Sequence, residues 1–227
     1  GCDGSNAWVA YAQAQIPLGL LPTDGLWTTY TTDGGDSWAA SAQAFAGEAY
    51  DVASCHDEGR AYVAFGSGDV FYAIRSEDAG QVWSQAPTKI SPPGSVASNA
   101  VVRCAGDRLI TAYFLEDAGA LGVSRVQSWS SGITDFLVVD DAVGQVASDI
   151  RDPDLTLVGN YAFVAYGMVP LATLQGGAPE RIKFASSVDM GQSFMPARDF
   201  GDHPPGTNIG QTRPRILVDG ARVWMGW

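Results

Sequence analysis

Thr31-Thr32-Asp33-Gly34-Gly35-Asp36-Ser37-Trp38 decides the fold, because the pattern comes back. Ser76-Glu77-Asp78-Ala79-Gly80-Gln81-Val82-Trp83 and Ser187-Val188-Asp189-Met190-Gly191-Gln192-Ser193-Phe194 repeat its order of types: a hydroxyl residue, then Asp, then Gly, then an aromatic. A weaker copy, Ser128-Trp129-Ser130-Ser131-Gly132-Ile133-Thr134, lacks the Asp. Each type has a use in a tight hairpin. The carboxylate accepts backbone N–H bonds inside the loop, the Gly takes a positive φ, and the aromatic anchors the returning strand. Runs rich in aromatic and β-branched residues, such as Val70-Phe71-Tyr72-Ala73-Ile74 and Arg181-Ile182-Lys183-Phe184-Ala185, precede the turns, so each turn joins two strands.

A second motif lies upstream of each turn. Cys2-Asp3-Gly4, Cys55-His56-Asp57-Glu58-Gly59, Cys104-Ala105-Gly106, Leu157-Val158-Gly159 and Val218-Asp219-Gly220 each lead into an apolar run. Both motifs recur at intervals of roughly 50 residues, the size of one four-stranded unit. The unit reads as strand A, a Gly turn, strand B, a variable loop, strand C, the Asp turn and strand D. Its boundaries fall near 1-48, 49-97, 98-148 and 149-210, with 211-227 incomplete, all within a single domain. No stretch carries a sustained helical period.

This pattern resembles the Asp-box (BNR) repeats of the sialidase-like β-propellers, and the resemblance covers nearly the whole chain. It implies an all-β propeller of four-stranded blades, about four of them visible, within a larger one of six or seven. Residue 1 falls just after a strand A position and residue 227 inside a strand B, so these residues are expected to be part of a longer chain. In that family the boxes are peripheral to catalysis. Asp33, Gly35, Trp38, Asp78, Gly80, Trp83, Asp189, Gly191 and Phe194 therefore read as structural turn residues. Function is expected on the opposite face, at the loops between strands D and A and between strands B and C.

Composition supports an all-β chain and excludes some roles. Hydrophobic residues are 46% and glycines number 27, enough for a core with many tight turns. With 13 Lys and Arg against 25 Asp and Glu, the formal net charge of −12 repels polyanions, so nucleic acid is not an expected partner. Pro17 and Gly19 break the longest apolar run, Ile16 to Leu21, and no membrane span is expected. The sparse lysines, with abundant Ala, Gly, Ser and Asp, suit a secreted or cell-surface bacterial protein.

Cys2, Cys55 and Cys104 are read as occupants of one repeat position in successive units, too far apart to pair and so buried as free thiols. His56 and His203 have no second His or Cys at ligand spacing, so neither a zinc site nor a Ser-His-Asp triad is expected. No cofactor is expected. Asp140, Asp141, Asp149, Asp152 and Asp154 fit no defined calcium loop and read as a solvated acidic edge.

The family resemblance implies where an enzyme would keep its machinery: three arginines on the sugar carboxylate, a Tyr-Glu nucleophile pair and an Asp acid-base. Its arginine motif, R-I-P at the start of strand A, has imperfect counterparts in Ile150-Arg151-Asp152-Pro153 and Thr212-Arg213-Pro214-Arg215. Arg103, Arg151, Arg213 and Arg215 are the candidate ligands of a carboxylate. No Tyr-Glu pair is assignable. Leu18, Leu20 and Leu171 sit in long apolar loops that suit contact with a protein partner or a neighbouring subunit. The expectation is a non-catalytic propeller that binds protein or carbohydrate, with an exo-α-sialidase as the alternative.

Overall fold

The computed structural model describes residues 2–13, 24–92, 94, 96–116, 119–126, 129, 135–140, 149–169, 181–200 and 213–226. Every regular element among them is a β-strand. The first sheet comprises β1 (Cys2–Asp3), β2 (Asn6–Gln13), β3 (Gly25–Thr31) and β4 (Ala42–Ala46). The second comprises β5 (Tyr50–Asp57), β6 (Arg60–Ser67), β7 (Val70–Ser76) and β8 (Thr88–Lys89). The third has β9 (Ala97–Ala105), β10 (Arg108–Leu115), β11 (Ala120–Val126) and β12 (Asp135–Asp140). The fourth has β13 (Asp149–Val158), β14 (Tyr161–Val169), β15 (Arg181–Ser187) and β16 (Arg198–Phe200). A two-stranded sheet, β17 (Arg215–Asp219) and β18 (Arg222–Gly226), follows. In each four-stranded sheet the strands lie side by side in chain order, as an antiparallel meander.

The Asp turns are built alike in three of the sheets. Thr31 Oγ1 donates to Asp33 Oδ1 at 2.5 Å and accepts the Gly35 N–H at 3.1 Å, while Asp33 Oδ1 accepts the Ser37 N–H at 3.0 Å. Ser76, Asp78, Gly80 and Val82 repeat these bonds, as do Ser187, Asp189, Gly191 and Ser193. The residue after each Asp donates its N–H to the neighbouring A–B turn: Gly34 to Ser5 O, Ala79 to Gly59 O and Met190 to Asn160 O. Both turns of a sheet therefore lie at one end.

The chain packs as two compact units: Gly1–Gly94 with Val102–Leu109 and Val126–Thr134, and Ser95–Val101 with Ile110–Arg125 and Asp135–Trp227. Each buries apolar faces between successive sheets. In the first unit, Ala61, Val63 and Phe65 of β6 pack against the sheet before them, with Trp8 and Leu26 in the same core. In the second, Ala162, Val164 and Tyr166 of β14 pack with Ile110, Ala112 and Phe114 of β10. The period of two fixes the rule. Counting along the second strand of a sheet, the second, fourth and sixth residues face the preceding sheet, and the third and fifth face the following one.

The third residue of that strand has a defined seat in the next sheet. Trp8 lies over the Gly of the next Asp turn: a Cβ added at Gly80 would come within 2.8 Å of the Trp8 Cβ, and Gly80 has φ +95. Trp83 packs in the same core. Ile110 takes the corresponding place over Gly191, with Phe194 packed nearby. Tyr62 meets Trp129, from the turn that lacks the Asp, with ring centroids 5.7 Å apart. The Arg75 guanidinium lies 5.6 Å from the centroid of the Trp129 ring and is ion-paired with Glu77 and Asp107.

One expectation fails here. Cys55 and Cys104 form a disulfide, with Cα atoms 5.9 Å apart, so they are neither free nor out of reach. The error lay in treating them as equivalent. Cys55 stands two residues before the end of β5, whereas Cys104 stands one residue before the end of β9. That single step reverses the face, so Cys55 points forward and Cys104 back. Two truly equivalent residues would face the same way and could not meet.

Candidate functional site

At the end of the sheets opposite the Asp turns, the first strands open with a shared distortion. Asp51, Asn99, Asp152 and Arg213 each stand six residues ahead of the last residue of their sheet's first strand, and each has positive φ: +47, +55, +46 and +61. The cause is a β-bulge. Tyr50 pairs with Gly66 but Ala53 pairs with Ala64, leaving one extra residue on β5. Arg151 pairs with Gly167 and Asp154 with Ala165, leaving one extra residue on β13. Asp and Asn tolerate the left-handed region because their short polar side chains bond locally, whereas Arg has no such aid. A bulge re-aims the side chains beside it and concentrates near functional sites.

Glycine on the neighbouring strand makes room at the first of these bulges. A Cβ at Gly66 would collide with the Tyr50 ring, which crosses β6 there and donates its hydroxyl to Gly68 O. Tyr113 lies deeper in its sheet, bonded to Ser124, and burial pushes its phenol above the ordinary tyrosine range. That makes it a packing residue. His56 is likewise engaged, edge-on to Trp8 at 5.4 Å.

In the second unit the bulge docks the next strand. Asp154 is buried, and its Oδ2 accepts the Ile216 N–H at 2.7 Å; Thr156 Oγ1 donates to Ile216 O at 3.2 Å. Side chains of β13 thus satisfy the backbone of β17. Asp154 is therefore not part of a solvated acidic edge, contrary to expectation. Alternation of polar Asp154 and Thr156 with apolar Leu155 and Leu157 is the sequence signal that could have found this role. Asp141 lies outside the described residues. Among the described residues no group of His, Cys, Asp and Glu is arranged to hold a metal ion.

The candidate arginines do not share a place in the repeat. Counted back from the last residue of its sheet's first strand, Arg103 stands second, Arg215 fourth, Arg213 sixth and Arg151 seventh. Arg103 Nη1 donates to Val102 O and Arg215 Nη1 to Pro214 O, both at 2.9 Å. Arg213 Nε lies 3.8 Å from Asp152 Oδ2, which brings the opening of β17 to the bulge of β13. With the Arg213 side chain 76% exposed, that ion pair is weak. Leu18, Leu20 and Leu171 lie outside the described residues. The polar bulge position escaped the sequence reading because Asp, Asn and Arg share no obvious type.

Two solved structures resemble the chain. A mutant of the NanB sialidase from Streptococcus pneumoniae matches with a TM-score of 0.53 and 13% identity, over 86% of this chain and 31% of that one. An exo-beta-1,3-galactanase from Phanerochaete chrysosporium, solved with beta-1,3-galactotriose, matches with a TM-score of 0.51 and 12% identity, over 87% and 48%. The fold is a β-propeller of four-stranded blades. This chain spans less than half the length of either neighbour, and at such identity the likeness carries fold alone. No family model matches the sequence, and no curated protein is similar to it. Among the described residues no helix is long and apolar enough to cross a membrane.

Proposed function

We propose that this chain is a non-catalytic, glycan-binding segment of a sialidase-like Asp-box propeller, exported or at the cell surface, with its ligand at the openings of the first strands. The observation that carries this reading is the left-handed bulge at Asp51, Asn99, Asp152 and Arg213, one polar side chain at the same place in four sheets. Carboxylates and amides there suit vicinal sugar hydroxyls, which need paired acceptors and donors, and Arg213 suits an acidic sugar. The four complete sheets and the two-stranded one are read as successive units of one domain. A disulfide between Cys55 and Cys104 supports an oxidising compartment.

The lack of catalysis is argued from the arginines. A carboxylate clamp draws three guanidinium groups to one point. Here the candidates stand at four different repeat positions, and two of them donate to a carbonyl next to themselves in sequence. The competing reading is an exo-α-sialidase, which the likeness in fold to NanB brings forward. The test is titration calorimetry with neutral and acidic oligosaccharides, alongside turnover of a fluorogenic sialoside. Binding that Asp152→Ala weakens by about tenfold, without turnover, is the expected result. Turnover would favour the sialidase, and no binding to any sugar would remove the glycan reading.

A further inference from the structure

The packing rule exposes two surfaces that it should bury. The back of the first sheet carries Val9, Gly35 and Trp38. Their counterparts in the second sheet are Val63, Gly80 and Trp83. Val63 is 0% exposed and Trp83 7%, whereas Val9 is 44% exposed and Trp38 46%. A Cβ at Gly35 would meet nothing within 4 Å, although its φ of +102 and its bonds match those of Gly80. This face is a formed seat without an occupant among the described residues.

The complementary surface is on the two-stranded sheet. Leu217 and Trp224 are directly opposed across β17 and β18, and they are 66% and 54% exposed. Trp224 is the third residue of its second strand, the place that Trp8 holds in the first sheet. Trp8 sits on Gly80 with Trp83 in the same core. Gly35 and Trp38 reproduce that seat residue for residue, and Trp224 reproduces its occupant.

From this correspondence we infer that the Gly35–Trp38 face is an interaction surface for the Leu217–Trp224 face of a second copy of this chain. The two faces differ, so the contact is heterologous and head-to-tail, and it leaves one face of each kind open at the ends of a pair. Association of this kind grows with concentration and does not stop at a symmetric dimer. It rests on the packing rule, not on the proposed glycan site, which lies where the first strands open.

The experiment uses the 227-residue chain in a Cys2→Ser background, so that no disulfide through that residue contributes, and measures mass by sedimentation equilibrium between 1 and 100 μM, a range chosen on the order of weak protein association. Wild-type faces should give a mass that rises with concentration. Trp38→Lys and Trp224→Lys should each weaken association by about tenfold or more. An equimolar mixture of the two variants should restore a one-to-one dimer and nothing larger, because each still carries one intact face. Val9→Lys and Leu217→Lys, at other exposed strand positions, repeat the comparison should either tryptophan variant fail to fold. A monomer throughout the range overturns the inference. So does a Trp224→Lys variant that dimerises alone through Trp38, or a mixture that stays monomeric.

Discussion

Breaking the Cys55–Cys104 disulfide should cost this protein a large part of its stability. The bond ties β5 to β9 across a sequence separation of 49 residues. In the chain-entropy treatment, closing a loop of that length removes about 14 cal/mol/K from the unfolded ensemble, or about 4 kcal/mol at 25 °C. For a chain of this size, each kcal/mol moves the melting temperature by roughly 2–4 °C, so the expected fall is roughly 8–16 °C. The assay is thermal unfolding by circular dichroism of the wild type, with and without reductant, and of a Cys55→Ala, Cys104→Ala double variant. Reductant should lower the wild-type transition to that of the variant and leave the variant unmoved. Alkylation of the unfolded, unreduced chain should label Cys2 and spare the other two. If all three cysteines take label, or reductant leaves the wild-type transition in place, the staple does not exist and the argument from facing positions fails with it.

Two further outcomes follow from the Asp turns. Gly80→Ala and Gly35→Ala impose the same backbone penalty, but only the first drives a methyl into Trp8, so it should cost about 2 kcal/mol more in urea unfolding. In the fourth sheet, hydrogen bonds from the Ser187 and Ser193 hydroxyls and the Ser193 N–H hold the Asp189 carboxyl down at about 2. The folded value lies below the unfolded one, so its contribution is complete above the model value of 3.8 and is lost as pH falls toward 2. A melting curve followed from pH 5 to pH 2 should drop less steeply in Asp189→Asn than in the wild type.

How much was legible depended on how local the chemistry was. The Asp turn was readable because its hydroxyl, carboxylate, glycine and aromatic act within eight consecutive residues, and each type has a single use there. The Gly turn between strands A and B was readable for the same reason. The disulfide was misjudged because its geometry depends on register. In Cys55-His56-Asp57-Glu58-Gly59 the glycine is the second turn residue, whereas in Cys104-Ala105-Gly106 it is the first. Counting from the last paired residue, not from the first residue of the motif, shows the cysteines on opposite faces. Asp154 was misread because its partner, the Ile216 N–H, is 62 residues away and carries no side-chain signature. The bulges were hidden because a left-handed residue is marked by its position, and here Asp, Asn and Arg share the position. Arg213 is the least expected of them, and Pro214 directly after it adds a constraint of its own.

Those bulges have a consequence for how such a protein changes over time. Each first strand is divided in two by its left-handed residue. After it, the alternation of faces must be kept, since a one-residue slip would turn the core outward, as the cysteines show. Before it, the side chains have already been turned out of that alternation, so their identity is set by whatever they meet outside the sheet. Natural variants of this repeat should therefore conserve size and polarity downstream of the bulge and drift freely upstream of it. A lineage can exchange Asp for Asn or Arg there, and so change what it recognises, without retuning the interior that holds the blades together.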